Sequence, residues 1–181
     1  DFLKKLFELE VPEVYDKVIE IKTVVRTPGK RTKISVISNN SKVDPIGTCV
    51  GIKGSRIRSV INELFEEKID LVLYDDEVST YLRNALNPVE ITSLKLIKDE
   101  QRIEITVRDE QLSLAIGKNG QNIRLASKLV GWHVDIMNEK KRAHVDLKDT
   151  KNDSFDEKIA GELIEKENND KVKDKEPVNE S

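Results

Sequence analysis

The 181-residue sequence is poor in the residues that build covalent cross-links and aromatic pockets. Its one cysteine, Cys49, excludes an intramolecular disulfide and suits a reducing compartment. Aromatic residues make up only 4% of the chain, which argues against large aromatic-lined pockets and base-stacking platforms. No apolar run approaches the roughly 18 residues that cross a bilayer, and no signal-peptide pattern is present. These absences predict a cytoplasmic protein without a membrane segment.

Metal ligands and catalytic groups are scarce as well. His133 and His144 are the two histidines, and they lie far from Cys49 with no metal-ligand spacing. Cys49 falls on an apolar helix pattern and Trp132 follows a predicted helix end, so both are expected to be core residues. No nucleophile–base pair or metal constellation is visible. We therefore expect neither an enzyme nor a cofactor or metal site.

Charge is abundant but nearly balanced. The chain has 34 acidic and 31 basic residues, a net charge of −3. Residues 148–181 contain 11 acidic and 7 basic residues, so the rest of the chain has a net charge of +1. A nucleic-acid site would therefore have to be local. The residues after about 138 are too poor in apolar side chains to form a core, which predicts a charged, disordered tail over 148–181.

Hydrophobic periodicity predicts the same order of elements twice. The first series has a helix over residues 2–9, strands over 18–26 and 33–37, helices on either side of residues 51–54, and a strand over 68–74. The second has a helix over 77–86, strands over 90–98 and 102–108, helices over 109–116 and to about 129, and a strand over 132–137. Predicted helix caps are Asp44 with Pro45 after it, Asp75 or Asp76, and Asp109.

Each series places a glycine pair between two helices. The sequence reads Gly-Ile-Lys-Gly at 51–54 and Gly-Lys-Asn-Gly at 117–120, an offset of 66 residues. A helix N-terminus exposes unpaired N–H groups and attracts anions, and glycines before it let a phosphate approach the backbone. A lysine inside each pair adds a positive charge. Each loop therefore suits a phosphate group of a nucleic-acid backbone.

Other interpretations of the glycine pairs are weaker. A single pair is often only a tight turn between packed helices, but two equivalent copies with internal lysines favour a shared function. A nucleotide-binding P-loop is excluded because the Gly-x-x-x-x-Gly-Lys-Ser/Thr pattern is absent. A dinucleotide fingerprint is excluded because no Gly-x-Gly-x-x-Gly follows a strand.

These residues resemble a known family. The segments "VDPIGTCVGIKGSRI" and "QLSLAIGKNGQNIRLASKLVGWHVDI" are similar to the tandem K-homology (KH) region of the NusA family of transcription factors. The resemblance implies an α+β fold with two tandem type II KH domains, each a three-stranded mixed sheet packed against helices. The implied boundaries are a linker helix from a preceding domain over 1–12, KH domains over 13–79 and 80–147, and the tail. Because the chain begins with Asp1, we expect it to be part of a longer protein.

The resemblance also implies a function. KH domains clamp single-stranded RNA with the Gly-x-x-Gly loop over about four nucleotides. We expect a non-enzymatic, monomeric RNA-binding unit of a factor that modulates pausing, termination and antitermination, with RNA polymerase and antitermination factors as partners of the full-length protein. The alternative is a protein-interaction scaffold that docks on RNA polymerase or ribosomal proteins and binds little RNA. The expected RNA-binding residues are Gly51, Ile52, Lys53, Gly54, Ser55, Arg56 and Arg58 in the first domain, and Gly117, Lys118, Asn119, Gly120, Gln121, Asn122, Arg124 and Lys128 in the second.

The two loops differ at one informative position. KH loops commonly carry the cation at the first variable position, where the second loop has Lys118 but the first has Ile52. The first loop is therefore expected to be the weaker clamp. The RNA sequence preference does not follow from these residues.

Overall fold

The computed structural model describes residues 2–138. The predicted tail, His144 and the end of the predicted second domain lie outside the described residues. Within residues 2–138, no helix is both long and apolar enough to span a membrane.

Both predicted series of elements are present, together with a short helix α2 that the sequence pattern did not indicate. The first series consists of α1 (Phe2–Glu10), α2 (Pro12–Tyr15), β1 (Ile19–Thr27), β2 (Arg31–Ser38), α3 (Pro45–Val50), α4 (Ser55–Glu63) and β3 (Lys68–Leu73). The second consists of α5 (Val78–Leu86), β4 (Ile91–Ile97), β5 (Arg102–Val107), α6 (Asp109–Ile116), α7 (Gln121–Val130) and β6 (His133–Asn138).

The observed helix caps agree only in part with the caps that the sequence predicts. Asp44 accepts hydrogen bonds from the N–H groups of Ile46 and Gly47, which confirms it as the cap of α3. Asp75 and Asp76 do not cap α5; Glu77 does, and hydrogen bonds from Ser79 and Thr80 lower its pKa to about 2. Asp109 is the first residue of α6 rather than its cap, because Arg108 holds that position.

Each series forms a three-stranded mixed sheet, as the resemblance implied. In the first sheet β1 pairs antiparallel with β2, and β2 pairs parallel with β3. In the second sheet β4, β5 and β6 pair in the same way. An irregularity in pairing falls early in the first strand of both sheets, between Ile21 and Thr23 and between Ile91 and Ser93. The fold is therefore α+β and internally repeated.

Two apolar cores support the two sheets. Leu3 and Phe7 of α1 lie in the first core together with Ile34 and Val60. Segment 1–12, which the sequence predicts as a linker helix, thus contributes buried side chains to the first core.

The second core reaches across to the first sheet. Val72 of β3 is buried in the second core beside Leu82 and Ile123, and Val25 of β1 packs against the same cluster. Helix α7 contacts β1 and β2, and α5 contacts β3. The two domains are therefore packed on each other, and the placement of the second loop relative to the first sheet is set by apolar contacts.

Candidate nucleic-acid interface

The two glycine loops have the same backbone conformation. The first glycine has φ 75° and ψ 175° at Gly51, and φ 74° and ψ 173° at Gly117, a region that essentially only glycine adopts. The third residue is left-handed in both loops, with φ 51° at Lys53 and φ 54° at Asn119. Each loop forms one turn of 3-10 helix and leads directly into α4 or α7. The sequence repeat is therefore also a repeat of loop geometry.

The first glycine of each pair is required for close packing as well as for its dihedral angles. A Cβ atom on Gly51 would lie 2.8 Å from Cγ of Arg56. A Cβ atom on Gly117 would lie 2.7 Å from Cβ of Asn122 and 3.1 Å from its backbone nitrogen. The tight-turn interpretation thus explains the first glycine in both loops, independently of any ligand.

The side chains at the tips of the loops face solvent. Ile52 is 86% exposed. Lys53 and Lys118 are exposed, and Asn119 is half-buried. Gly54 and Gly120 are the N-terminal caps of α4 and α7, and neither has a side chain to cap the helix. No capping side chain therefore accepts a hydrogen bond from the first-turn N–H groups of these two helices.

Two predicted contact residues are engaged inside the protein. Arg56 Nη1 donates to Glu13 Oε2 at 3.0 Å and to the Thr48 carbonyl at 2.9 Å, so it ties α4 to α2 and α3. Asn122 is buried, and its Nδ2 donates to the carbonyls of Leu114 and Ala115 at the end of α6. Both side chains hold together the two helices around their loop.

The remaining predicted residues lie at increasing distance from the loops. Ser55 is exposed and Gln121 is buried in the first turn of α4 and α7, respectively. Arg58 lies against the first loop, since it donates from Nη2 to the Lys53 carbonyl at 2.7 Å. Arg124 is half-buried in the second turn of α7, and Lys128 is exposed in its last turns. At about 1.5 Å of rise per residue, Lys128 lies roughly 12 Å along the helix axis from Gly120, the last residue of the second loop.

Comparison with known families agrees with this repeated geometry. Residues 1–74 match the NusA-like first KH domain. Residues 78–144 match the NusA-like second KH domain. The chain belongs to the NusA-like KH family.

Relatives of the NusA-like region are named transcription termination/antitermination protein NusA. The protein from Halalkalibacterium halodurans is 50% identical over 145 residues, which cover 80% of this chain and 38% of the relative. The proteins from Rickettsia prowazekii and Bacillus subtilis are 47% and 49% identical; the matches cover 78% and 76% of this chain, and 29% and 37% of those relatives. The chain spans well under half the length of these relatives.

A solved structure shows the same fold. The crystal structure of APE1850 has a TM-score of 0.56 and 21% sequence identity, and the match covers 76% of this chain and 95% of the other. At this identity the likeness concerns the fold alone.

The two NusA-like KH loops face different electrostatic surroundings. The second loop borders a cavity of about 490 Å³ whose lining residues are Lys30, Arg31, Lys68, Lys118, Asn119 and Gln121. The first loop borders a cavity of about 380 Å³ whose lining includes two carboxylates, Glu13 and Asp44. Sequence reasoning missed Lys30, Arg31 and Lys68, because they are distant from the second loop in sequence.

Cys49 is a core residue of the first NusA-like KH domain, as predicted. It is fully buried, and burial raises the pKa of its thiol to about 12, with the Glu13 carboxylate adding to the effect. Among the described residues, no three histidine, cysteine or carboxylate side chains come together as a metal site.

Proposed function

We propose that this chain binds single-stranded RNA as the tandem KH region of a transcription termination/antitermination protein. The observation that carries the proposal is the repeated Gly-x-x-Gly loop, which has one backbone conformation at Gly51–Gly54 and Gly117–Gly120 within two NusA-like KH domains. Such loops clamp the backbone of single-stranded RNA.

The physical basis of each clamp is a phosphate held against a helix N-terminus. The first-turn N–H groups of α4 and α7 supply partial positive charge, and Lys53 and Lys118 add a full charge at the exposed loop tip. We propose that Arg58, Arg124 and Lys128 extend the positively charged surface along these two helices. Arg56 and Asn122 support the loops from inside, so their contribution to RNA binding is indirect in this proposal.

The cellular role is proposed from the relatives' names. The relatives are named for transcription termination and antitermination, so nascent RNA is the proposed ligand, and RNA polymerase and antitermination factors are the proposed partners of the full-length protein. We propose that the region itself is a monomeric, non-enzymatic unit that works in the cytoplasm, with KH domains over residues 13–79 and 80–147.

The central experiment is an RNA titration of the 181-residue chain with a pool of random single strands. Replacing Lys118 and Asn119 with aspartate places negative charge at the phosphate position, and aspartate tolerates the left-handed conformation of Asn119. Affinity at moderate salt should fall about tenfold or more, and wild-type affinity should drop steeply as salt rises.

The matched control is Asn40→Asp with Lys42→Asp, the same charge change in the exposed loop before α3. RNA affinity of the control should stay within about twofold of the wild type, since screening weakens distant charges. Equal affinities of the two variants would overturn the second clamp. Absence of binding to any single strand by the wild-type chain would favour the protein-interaction scaffold instead.

A further inference from the structure

The cavity beside the second loop receives basic side chains from both domains. Lys30 ends the turn between β1 and β2, Lys68 opens β3, and Lys118 belongs to the second loop. All three side chains are exposed and line the same cavity of about 490 Å³. Arg31 also lines it, but its charge is paired with Asp70, at 2.7 Å from Nε to Oδ2. Three lysines therefore converge where the first sheet faces the second loop.

The internal repeat shows that these lysines are not needed by the fold. In the first sheet the Lys68 N–H donates to the Lys30 carbonyl at 3.2 Å. At the equivalent position of the second sheet the His133 N–H donates to the Gln101 carbonyl at 2.9 Å. The same backbone junction thus carries two lysines only in the copy that faces a Gly-x-x-Gly loop.

A buried carboxylate holds the two lysines in place. The Glu67 side chain is 0% exposed and accepts hydrogen bonds from Arg26 Nε at 2.8 Å and from the Gly29 N–H at 2.8 Å. These contacts fix the turn that ends in Lys30 to the residue just before Lys68. The apolar packing of α7 on β1 and β2 fixes the second loop relative to that turn.

Converging ammonium groups repel one another unless an anion lies among them. The backbone of single-stranded RNA supplies successive negative charges, and the adjacent loop already suits one phosphate. The cavity is lined both by the loop and by the end of the first sheet, so a phosphate group that enters it meets lysines of both domains.

We propose that Lys30 and Lys68 bind phosphates of the same RNA strand that Lys118 holds, so that the second clamp is built from both domains. This inference rests on the proposed RNA-binding function and extends it to residues of the first sheet. It assigns to the domain interface a part in RNA binding, with Glu67 as the residue that positions both lysines.

The test uses the 181-residue chain and a single-stranded RNA that the wild type binds. Replacing both Lys30 and Lys68 with glutamine should weaken binding about tenfold at moderate salt. The slope of log affinity against log salt should fall in magnitude by about 1.4, or about 0.7 for each phosphate that is no longer neutralised. The control, Lys95→Gln with Lys98→Gln, removes two exposed lysines from the corresponding hairpin of the second sheet.

A charge-conserving variant separates charge from folding. Lys30→Arg with Lys68→Arg should keep affinity within about twofold of the wild type, and all variants should unfold at wild-type temperature because the side chains are exposed. If the glutamine variant matches its control while Lys118→Gln weakens binding, the inference is overturned and the proposed function stands. If the wild type binds no single-stranded RNA, the proposed function itself is overturned.

Discussion

Lys33 Nζ lies 2.9 Å from Asp70 Oδ2, and the same ammonium donates to the Ala85 carbonyl at 2.8 Å. Lys33 is only 2% exposed, and it links β2 of the first sheet to the end of α5 in the second series. Burial lowers the pKa of Lys33, and the Asp70 charge offsets only part of that effect. The domain interface therefore contains a buried cation whose main counter-ion is Asp70.

Replacing Asp70, the counter-ion, should lower the free energy of unfolding more than replacing Lys33, the buried cation. Asp70→Asn leaves the ammonium of Lys33 buried without its paired charge, and we expect a loss of about 3 kcal/mol in the free energy of unfolding. Lys33→Met removes the buried charge itself and leaves Asp70 paired with Arg31, so its loss should be smaller. Urea denaturation measures both. Asp99→Asn, at an exposed turn position, is the control and should change stability by less than about 0.5 kcal/mol.

Acid should destabilise the protein through Glu67. Burial alone would raise the pKa of this carboxyl, but hydrogen bonds from Arg26, Thr32 and the Gly29 N–H lower it overall. Since the folded pKa lies below the unfolded value of about 4.3, the stabilisation is complete above that pH and is lost as pH falls through the folded value. Urea midpoints between about pH 6 and pH 2 should show this loss.

The variant Glu67→Gln tests whether the loss of stability in acid comes from Glu67. The variant should be less stable by about 2 kcal/mol at neutral pH, because hydrogen bonds to a charged acceptor are replaced by weaker ones. Its stability should also fall less steeply in acid than that of the wild type. Glu66→Gln changes the exposed neighbouring residue and should follow the wild-type curve. Parallel curves for wild type and Glu67→Gln would contradict the prediction.

The first glycine of each loop should tolerate alanine poorly, and the second loop should be the more sensitive. Gly117→Ala meets both the Cβ and the backbone nitrogen of Asn122, so we expect a loss of about 3 kcal/mol. Gly51→Ala meets the Cγ, Cβ and Cδ atoms of Arg56 at 2.8 to 3.1 Å but no backbone atom, so a smaller loss of about 2 kcal/mol is expected. Gly131→Ala, at φ 72° and ψ 19° with no atom within 4 Å, measures the cost of alanine in the ordinary left-handed region and should lose about 1 kcal/mol. Urea denaturation should reproduce this order, and a loss at Gly117 no greater than at Gly51, which has the same dihedral angles, would exclude the additional packing contribution of the Asn122 backbone.

Local patterns predicted the secondary structure well because they act over a few residues. The predicted bounds of β1 and β5 and the predicted end of α7 lie within one residue of those observed, and α4 begins directly after the first glycine pair, as predicted. The glycine offset of 66 also predicted two equivalent loops, each between two helices. Which of several neighbouring side chains caps a helix was harder to predict. Asp75, Asp76 and Glu77 all have a carboxylate near the start of α5, and only Glu77 caps it.

The surroundings of the loops depended on contacts that sequence spacing does not encode. Arg56 was expected to face phosphate, but its partner Glu13 stands 43 residues earlier on a helix that was not predicted. Lys30 and Lys68 reach the second loop only because α7 packs on β1 and β2. Both outcomes are consequences of tertiary packing, so the chemistry of the loop residues alone did not reveal them.

The expected weakness of the first clamp leads to a variant that should improve binding. Ile52 is 86% exposed at the position where the second loop has Lys118, so Ile52→Lys adds a cation without removing buried surface. RNA affinity should rise about three- to tenfold at low salt, and the salt slope should steepen by about 0.7. Leu9→Lys, at an 80% exposed site on α1, makes the same change away from the loop. Equal titration curves for these two variants would show that no phosphate lies beside residue 52.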